Sequence, residues 1–187
     1  MLDIGSGRAE MAAGFVQHGL KVTATDASSE AAEFARKAGA GFHQFQVAPD
    51  KKLPFPDDSF DIVFCKSFVE HLREPVPFAV DCLRVLRPGG RVIFLTPDWE
   101  SNHKIFFDDV THVTPFTTQT MSQLLEIGGF EKVTSYRFRQ LPLTWRHPQL
   151  NVVSSLISPF IPVRTKNKFL RWSRELIVCG TGVKQNK

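Results

Sequence analysis

The segment Leu2-Asp3-Ile4-Gly5-Ser6-Gly7-Arg8-Ala9 restricts this chain more than any other. A short apolar run enters a turn holding two glycines, and helical spacing follows at once: Ala12, Phe15 and Val16 share a side and Gly19 is the stop. Glycines at such a place let the backbone turn sharply and approach a ligand closely. The helix start beyond them offers unpaired amides at a positive dipole end. Lys21–Thr25 then alternates with β-branched residues and reaches Asp26, 19 residues after Gly7. A carboxylate there can accept the hydroxyl hydrogens of a ribose.

The remaining chain keeps the same rhythm. Ser28 or Ser29 caps a second helix that runs to Ala38 and closes at Gly39 and Gly41. Phe42–Val47, Phe60–Cys65 and Arg91–Thr96 read as strands, with a helix over Pro77–Leu86 that stops at Pro88-Gly89-Gly90. Thr117 or Thr118 caps a helix to Ile127, Phe130–Leu141 is a long strand, and Glu175–Gly180 a short last one. Strand–helix alternation of this kind predicts an α/β fold, doubly wound around a mostly parallel sheet with helices on both faces. At 187 residues, one domain over 1–187 is expected.

Composition excludes several classes. No charged segment followed by an apolar one opens the chain, so no signal peptide is read. The longest nearly apolar stretch, Val152–Val163, holds three serines and two prolines and is too short to span a bilayer. Cys65, Cys82 and Cys179 are odd in number and widely spaced, which reads as buried reduced thiols in a cytoplasmic setting. The net charge of +4 divides unevenly: residues 1–135 carry 13 bases and 18 acids, a balance of −5. Residues 136–187 carry 10 bases and one acid, Glu175, a balance of +9. A basic end on an acidic body predicts an anionic partner, against the plainer reading of a solvated surface.

Two cofactor classes use a glycine turn followed by a spaced acid. The dinucleotide fingerprint wants Gly or Ala where this chain has Glu10, whose charge would sit near a pyrophosphate. The third small residue is instead Ala9. The spacing Gly-Ser-Gly-Arg-Ala resembles motif I of class I S-adenosylmethionine-dependent methyltransferases, with Ala9 in place of the last glycine. The resemblance continues through Leu53-Pro54-Phe55-Pro56-Asp57-Asp58-Ser59-Phe60-Asp61, Ser67-Phe68-Val69-Glu70-His71-Leu72 and Arg84-Val85-Leu86-Arg87-Pro88-Gly89-Gly90. Thr96-Pro97-Asp98 and Gly129-Phe130 extend it. It implies seven strands with the last antiparallel, and S-adenosylmethionine as cofactor. Gly5, Ser6 and Gly7 would approach the methionine part, and Asp3, in the same motif, would be a cofactor-binding residue, its plainer role being to hold the loop amides. Asp26 would bind the ribose, Ala27 would lie against the adenine, and Lys66 and Ser67 would line the pocket.

Two departures stand out. Where many family members place an acid toward the adenine amino group, this chain has Pro49, with Asp50 beside it. Either Asp50 substitutes or the contact is made by backbone. The family also has a longer first strand and N-terminal helices that close over the cofactor. With only Leu2-Asp3-Ile4 before the turn, the sequence reads as N-terminally truncated; cover from another chain or from the C-terminal segment is the alternative.

Methyl transfer from a sulfonium asks mainly for alignment, but an oxygen acceptor benefits from a general base. His71 and His112 are the candidates, both just beyond strands at the edge where such sheets bind ligands. The plainer readings are a helix-end residue bonded to a carbonyl or to Glu70, and a loop ordered through Asp109 or Thr111. His18, His43, His103 and His147 lack metal-ligand spacing, and no metal is expected. Residues 142–173 fall where this fold commonly inserts a substrate-side element or lid. They mix Trp145, Phe160, Phe169 and Trp172 with Arg146, Arg164, Lys166, Lys168 and Arg171. That composition suits an amphiphilic or anionic small-molecule acceptor, lipid- or glycan-linked, with peripheral membrane contact, ahead of nucleic acid. The competing functions are a cofactor-binding regulatory relative without activity and an NAD-dependent dehydrogenase.

Overall fold

The computed structural model describes residues 1–48 and 51–186; the Pro49 and Asp50 question lies outside them. In chain order the elements are β1 (Leu2–Ile4), α1 (Glu10–Gln17), β2 (Thr23–Asp26), α2 (Ala31–Lys37), β3 (Gly41–Gln44) and β4 (Phe60–Lys66). Then come α3 (Pro75–Val85), β5 (Leu86–Pro97), α4 (Trp99–Asn102), α5 (Thr118–Ile127) and β6 (Glu131–Arg139). The helices α6 (Pro142–Arg146), α7 (Leu150–Ile157) and α8 (Lys168–Arg174) precede β7 (Leu176–Val183). The strands form one sheet in the order β3-β2-β1-β4-β5-β7-β6. β1 through β5 pair in parallel, and β7 runs antiparallel to both β5 and β6.

Register decides which side chain faces which layer. Leu2, Val63, Val92 and Val178 join the larger core with α3 and α5. Asp3, paired with Ala24 and Phe64, points to the opposite face, where Ala9, Ala12, Val22, Ala24 and Ala35 pack α1 and α2 onto the sheet. A carboxyl is thereby fixed among apolar neighbours on the face that carries the glycine turn.

Several local expectations hold in detail. Thr117 caps α5 through a reciprocal box: its hydroxyl accepts from the Thr120 amide at 3.2 Å, and the Thr120 hydroxyl accepts from the Thr117 amide at 2.9 Å. Others shift. β3 ends at Gln44 rather than Val47, because β2 ends at Asp26 and leaves nothing further to pair with. α2 begins at Ala31 without a side-chain cap; the Ser28 hydroxyl takes only the Glu30 amide, at 3.2 Å. Pro88-Gly89-Gly90 lies inside β5, because Gly89 donates to the Lys184 carbonyl and Lys184 donates to that of Gly90, each at 2.9 Å. A Cβ on Gly90 would stand 2.8 Å from the Arg87 carbonyl oxygen, so that close approach needs glycine. α4 has a clear origin missed in the sequence: Asp98 caps it, accepting from the Ser101 amide at 3.0 Å.

Candidate active site

The glycine turn is held by β2. The Gly5 and Ser6 amides donate to the Thr25 carbonyl at 2.9 and 3.1 Å, and the Gly7 amide donates to Asp26 Oδ2 at 2.9 Å. Asp26 Oδ1 accepts from the Ser28 amide at 2.9 Å. The Thr25 carbonyl and Asp26, not Asp3, therefore hold the loop amides. Gly5 has φ +71° and lies under Phe68, whose ring carbon would be 2.6 Å from an added Cβ. No other residue type fits there without strain and collision.

Asp3 has no such partner. It is 2 % exposed, and its Oδ2 and the Ser6 hydroxyl lack any hydrogen-bond partner among the described residues. Burial, and then the neighbouring charge of Asp26, pushes the Asp3 carboxyl up to about 7. A buried acceptor left unpaired costs free energy, which a polar ligand can recover. Asp3, Gly5, Ser6, Lys66 and Ser67 line one cavity of about 240 Å³, with Arg8, Glu10, Met11 and Phe64. Ser67 ends β4 at φ 51°, with its amide bound to the Leu95 carbonyl at 2.8 Å. Gly7, Asp26 and Ala27 stand on the other flank of the turn, outside that lining. A larger cleft of about 700 Å³ runs along α3 and includes His71.

His71 and His112 are brought together, ring centroids 4.9 Å apart. The loop after α4 docks on the turn after β4: the Val113 and Thr114 amides donate to the Glu70 carbonyl at 2.9 and 3.0 Å, and the Thr114 hydroxyl to the Leu72 carbonyl at 2.6 Å. His112 Nδ1 contacts the Phe106 carbonyl at 2.7 Å, so that nitrogen carries the proton and Nε2 keeps a lone pair. His71 Nδ1 meets the carbonyl and hydroxyl of Thr111 at 3.2 and 2.9 Å. The Thr111 hydroxyl proton is already given to Asp109 Oδ1 at 2.6 Å, so His71 Nδ1 must donate as well.

Glu70 is the functional candidate that sequence reasoning passed over. It is fully buried; Oε2 accepts from the Thr96 hydroxyl at 3.0 Å, and Oε1 has no partner among the described residues. Burial pushes its carboxyl up, while the Thr96 bond and the nearness of His112 pull the other way. Glu70, His71 and His112 each place one ligand-capable atom within 4.8 Å of the others. The two histidines come from segments 41 residues apart, which is why spacing gave no sign of this cluster. Two imidazoles anchored through Nδ1, beside a buried carboxyl, form a set with the geometry to pass a proton.

The family model described as "Methyltransferase domain" matches residues 2–94, from β1 through most of β5. A SAM-dependent methyltransferase from Archaeoglobus fulgidus has the same fold at 20% identity and a TM-score of 0.71, over 98% of this chain and 85% of that one. Residues 2–94 match this methyltransferase domain, and the whole chain has the fold of the S-adenosylmethionine-dependent methyltransferases. An uncharacterised methyltransferase of Bacillus subtilis, YcgJ, is 33% identical over 99 residues, 51% of this chain and 39% of the relative. The ubiquinone/menaquinone biosynthesis C-methyltransferase of Geotalea daltonii is 28% identical over 147 residues, 74% of this chain and 60% of the relative. Over these matches the chain spans about two fifths to three fifths of each relative's length. The turn fits the family's cofactor: it presents an unpaired buried carboxyl and hydroxyl, and each Asp26 oxygen keeps a further lone pair beyond its amide bond.

Proposed function

We propose that this chain transfers a methyl group from S-adenosylmethionine to a small, amphiphilic or anionic acceptor carried on a lipid or glycan. The observation that carries the cofactor half is Asp3, buried and unpartnered in the cavity rimmed by the glycine turn, Lys66 and Ser67. Asp3 would face a cationic or donor group, the Gly5–Gly7 backbone would lie against the methionine part, and Asp26 would take the ribose hydroxyls. When bound, the cofactor supplies a methyl on a positively charged sulfur, so the protein's work is to align the acceptor and keep water out. If the acceptor is an oxygen acid, His112 Nε2 takes its proton, with Nδ1 fixed on the Phe106 carbonyl. Asp109 Oδ2, 3.8 Å from Nε2, offers the imidazolium a counter-charge. His71 is held in the same tautomer beside it and can relay that proton. Relatives named for ubiquinone and menaquinone biosynthesis support a small-molecule acceptor, and three free, buried cysteines support a reducing, cytoplasmic setting.

Calorimetry with S-adenosylhomocysteine and NAD tests the cofactor half. We expect tight binding of the first alone, and a loss of about 1.5–3 kcal/mol in Asp26→Ala from removal of a charged hydrogen-bond acceptor. Equal affinity for NAD, or unchanged binding in the variant, would refute the assignment. Stoichiometric binding without turnover on any lipid or glycan acceptor pool would point to a regulatory relative.

A further inference from the structure

α7 is built inside out. Its Asn151 and Ser154, like Ser158 just past its end, are half-buried toward the body, while Val152, Val153, Leu156 and Ile157 face away, and no residue of the helix is buried. Leu156 is 69 % exposed and Phe160, one turn further on, 86 %. A lone exposed leucine needs no explanation, but a whole apolar helix face does. The orientation is fixed from beneath. Arg139, buried at the end of β6, donates to the Ser155 hydroxyl at 2.7 Å and to the Ser173 carbonyl of α8. Turning α7 over would strip the guanidinium of a partner in a place where an unpaired charge is costly.

The surroundings of this face are cationic. Arg146, Lys166 and Lys168 are exposed and form no ion pair among the described residues. Phe169 and Leu170 at the start of α8 add exposed apolar area beside Lys168. Among the described residues no helix is long and apolar enough to cross a membrane. The same region reaches the acid–base cluster. Arg164 grips Asp108 with two bonds of 2.8 and 2.9 Å, and the loop beyond carries Val110, 91 % exposed, and His112.

We propose that α7, Phe160 and the start of α8 form a seat for an anionic lipid bilayer, with the aliphatic face entering the headgroup boundary and Arg146, Lys166 and Lys168 meeting lipid phosphates. The charge complementarity argues for this occupant: residues 136–187 carry +9 on a chain whose remainder carries −5. The contiguous aliphatic face of Val152, Val153, Leu156 and Ile157 suits acyl chains, and exposed Phe160 and Phe169 beside it suit the headgroup boundary. The seat stands apart from the proposed reaction, since vesicle binding reads the one and cofactor binding the other.

The test is co-sedimentation of the purified chain with mixed phosphatidylglycerol–phosphatidylcholine vesicles, against phosphatidylcholine alone, at low and high salt. Binding should require phosphatidylglycerol and weaken with salt. The triple variant Val153→Ser/Leu156→Ser/Phe160→Ser should lose at least about tenfold of it at every salt concentration, given the apolar area removed. Lys166→Glu/Lys168→Glu should lose only the salt-sensitive part, and both variants should keep wild-type affinity for S-adenosylhomocysteine. Failure to bind vesicles at low salt would overturn the proposal, as would binding indifferent to both variants. A concentration-dependent dimer that the triple variant dissolves would reassign the face to a second copy of the chain.

Discussion

The glycine-turn region and the helices before β7 break opposite rules of burial. Around β1 and β4 the apolar side chains are inside, and the exception is a polar one: Asp3, buried with an oxygen unpaired. In α7 the Ser155 hydroxyl is tied to the body by buried Arg139, and the exception is apolar: an aliphatic face left uncovered. Each exception costs free energy in the isolated chain, and each indicates the character of what would relieve it. An unpaired carboxyl asks for a donor or a cation, and an uncovered aliphatic face asks for hydrocarbon.

The sharpest break in this comparison is expected from core truncation. Phe94 is fully buried in β5 and stacks on Phe78 with centroids 5.7 Å apart. Phe94→Ala removes that contact and leaves a cavity, at a cost of about 3–5 kcal/mol. Urea unfolding should show the midpoint falling accordingly. A loss below about 1 kcal/mol would mean that this side of the sheet is far looser than its packing implies.

A smaller effect, of a few kcal/mol at most, is expected from Asp3 and is legible in pH. Its folded-state value of about 7 lies above the ordinary 3.8, so the folded chain holds a proton that the unfolded chain has released. Stability from this residue is fully present below 3.8, declines as pH rises toward about 7, and is flat beyond. Asp3→Asn should remove that decline, which unfolding followed across the same window would show. A ligand that brings a cation to Asp3 lowers its value again, so wild-type affinity for S-adenosylhomocysteine should rise toward pH 7 and the variant's should not. Parallel slopes in the two proteins would remove Asp3 from the ligand site.

What was legible in the sequence was what neighbours in the chain decide. Leu2 to Ala9 states a strand, a turn and a helix start within eight residues, and Thr117 with Thr120 states a cap within four. Asp26 was found by its distance from the turn. Its bond to the Gly7 amide, which relieves Asp3 of the loop and leaves that carboxyl for a ligand, depends on two strands lying side by side. Pro88-Gly89-Gly90 looked like a stop because its pairing with Lys184 is invisible locally. Glu70, His71 and His112 meet only because backbone amides of one loop bind the Glu70 carbonyl. Val152–Val163 was recognisable as apolar, but not which way it faces. That direction is set by Arg139, at the end of another element, and no periodicity within the run reports it.

The smallest expected effect is the most informative about that direction. Leu156→Ser removes an aliphatic side chain from the middle of an apolar helix, and composition alone would class it with core truncations such as Phe94→Ala. The structure assigns it the opposite outcome. Leu156 is 69 % exposed, so most of its apolar area stays in water on folding and little is lost when it goes. Leucine also exceeds serine in helix propensity by only a few tenths of a kcal/mol, and the hydroxyl is hydrated where it stands. The change in unfolding free energy should therefore stay within about 0.5 kcal/mol. Measured with vesicles present, the same substitution should lower the midpoint more than it does without them, because only then does the side chain have hydrocarbon to leave. A loss of 2 kcal/mol or more without lipid, at the level of about a buried leucine, would mean that the face is covered within the chain itself.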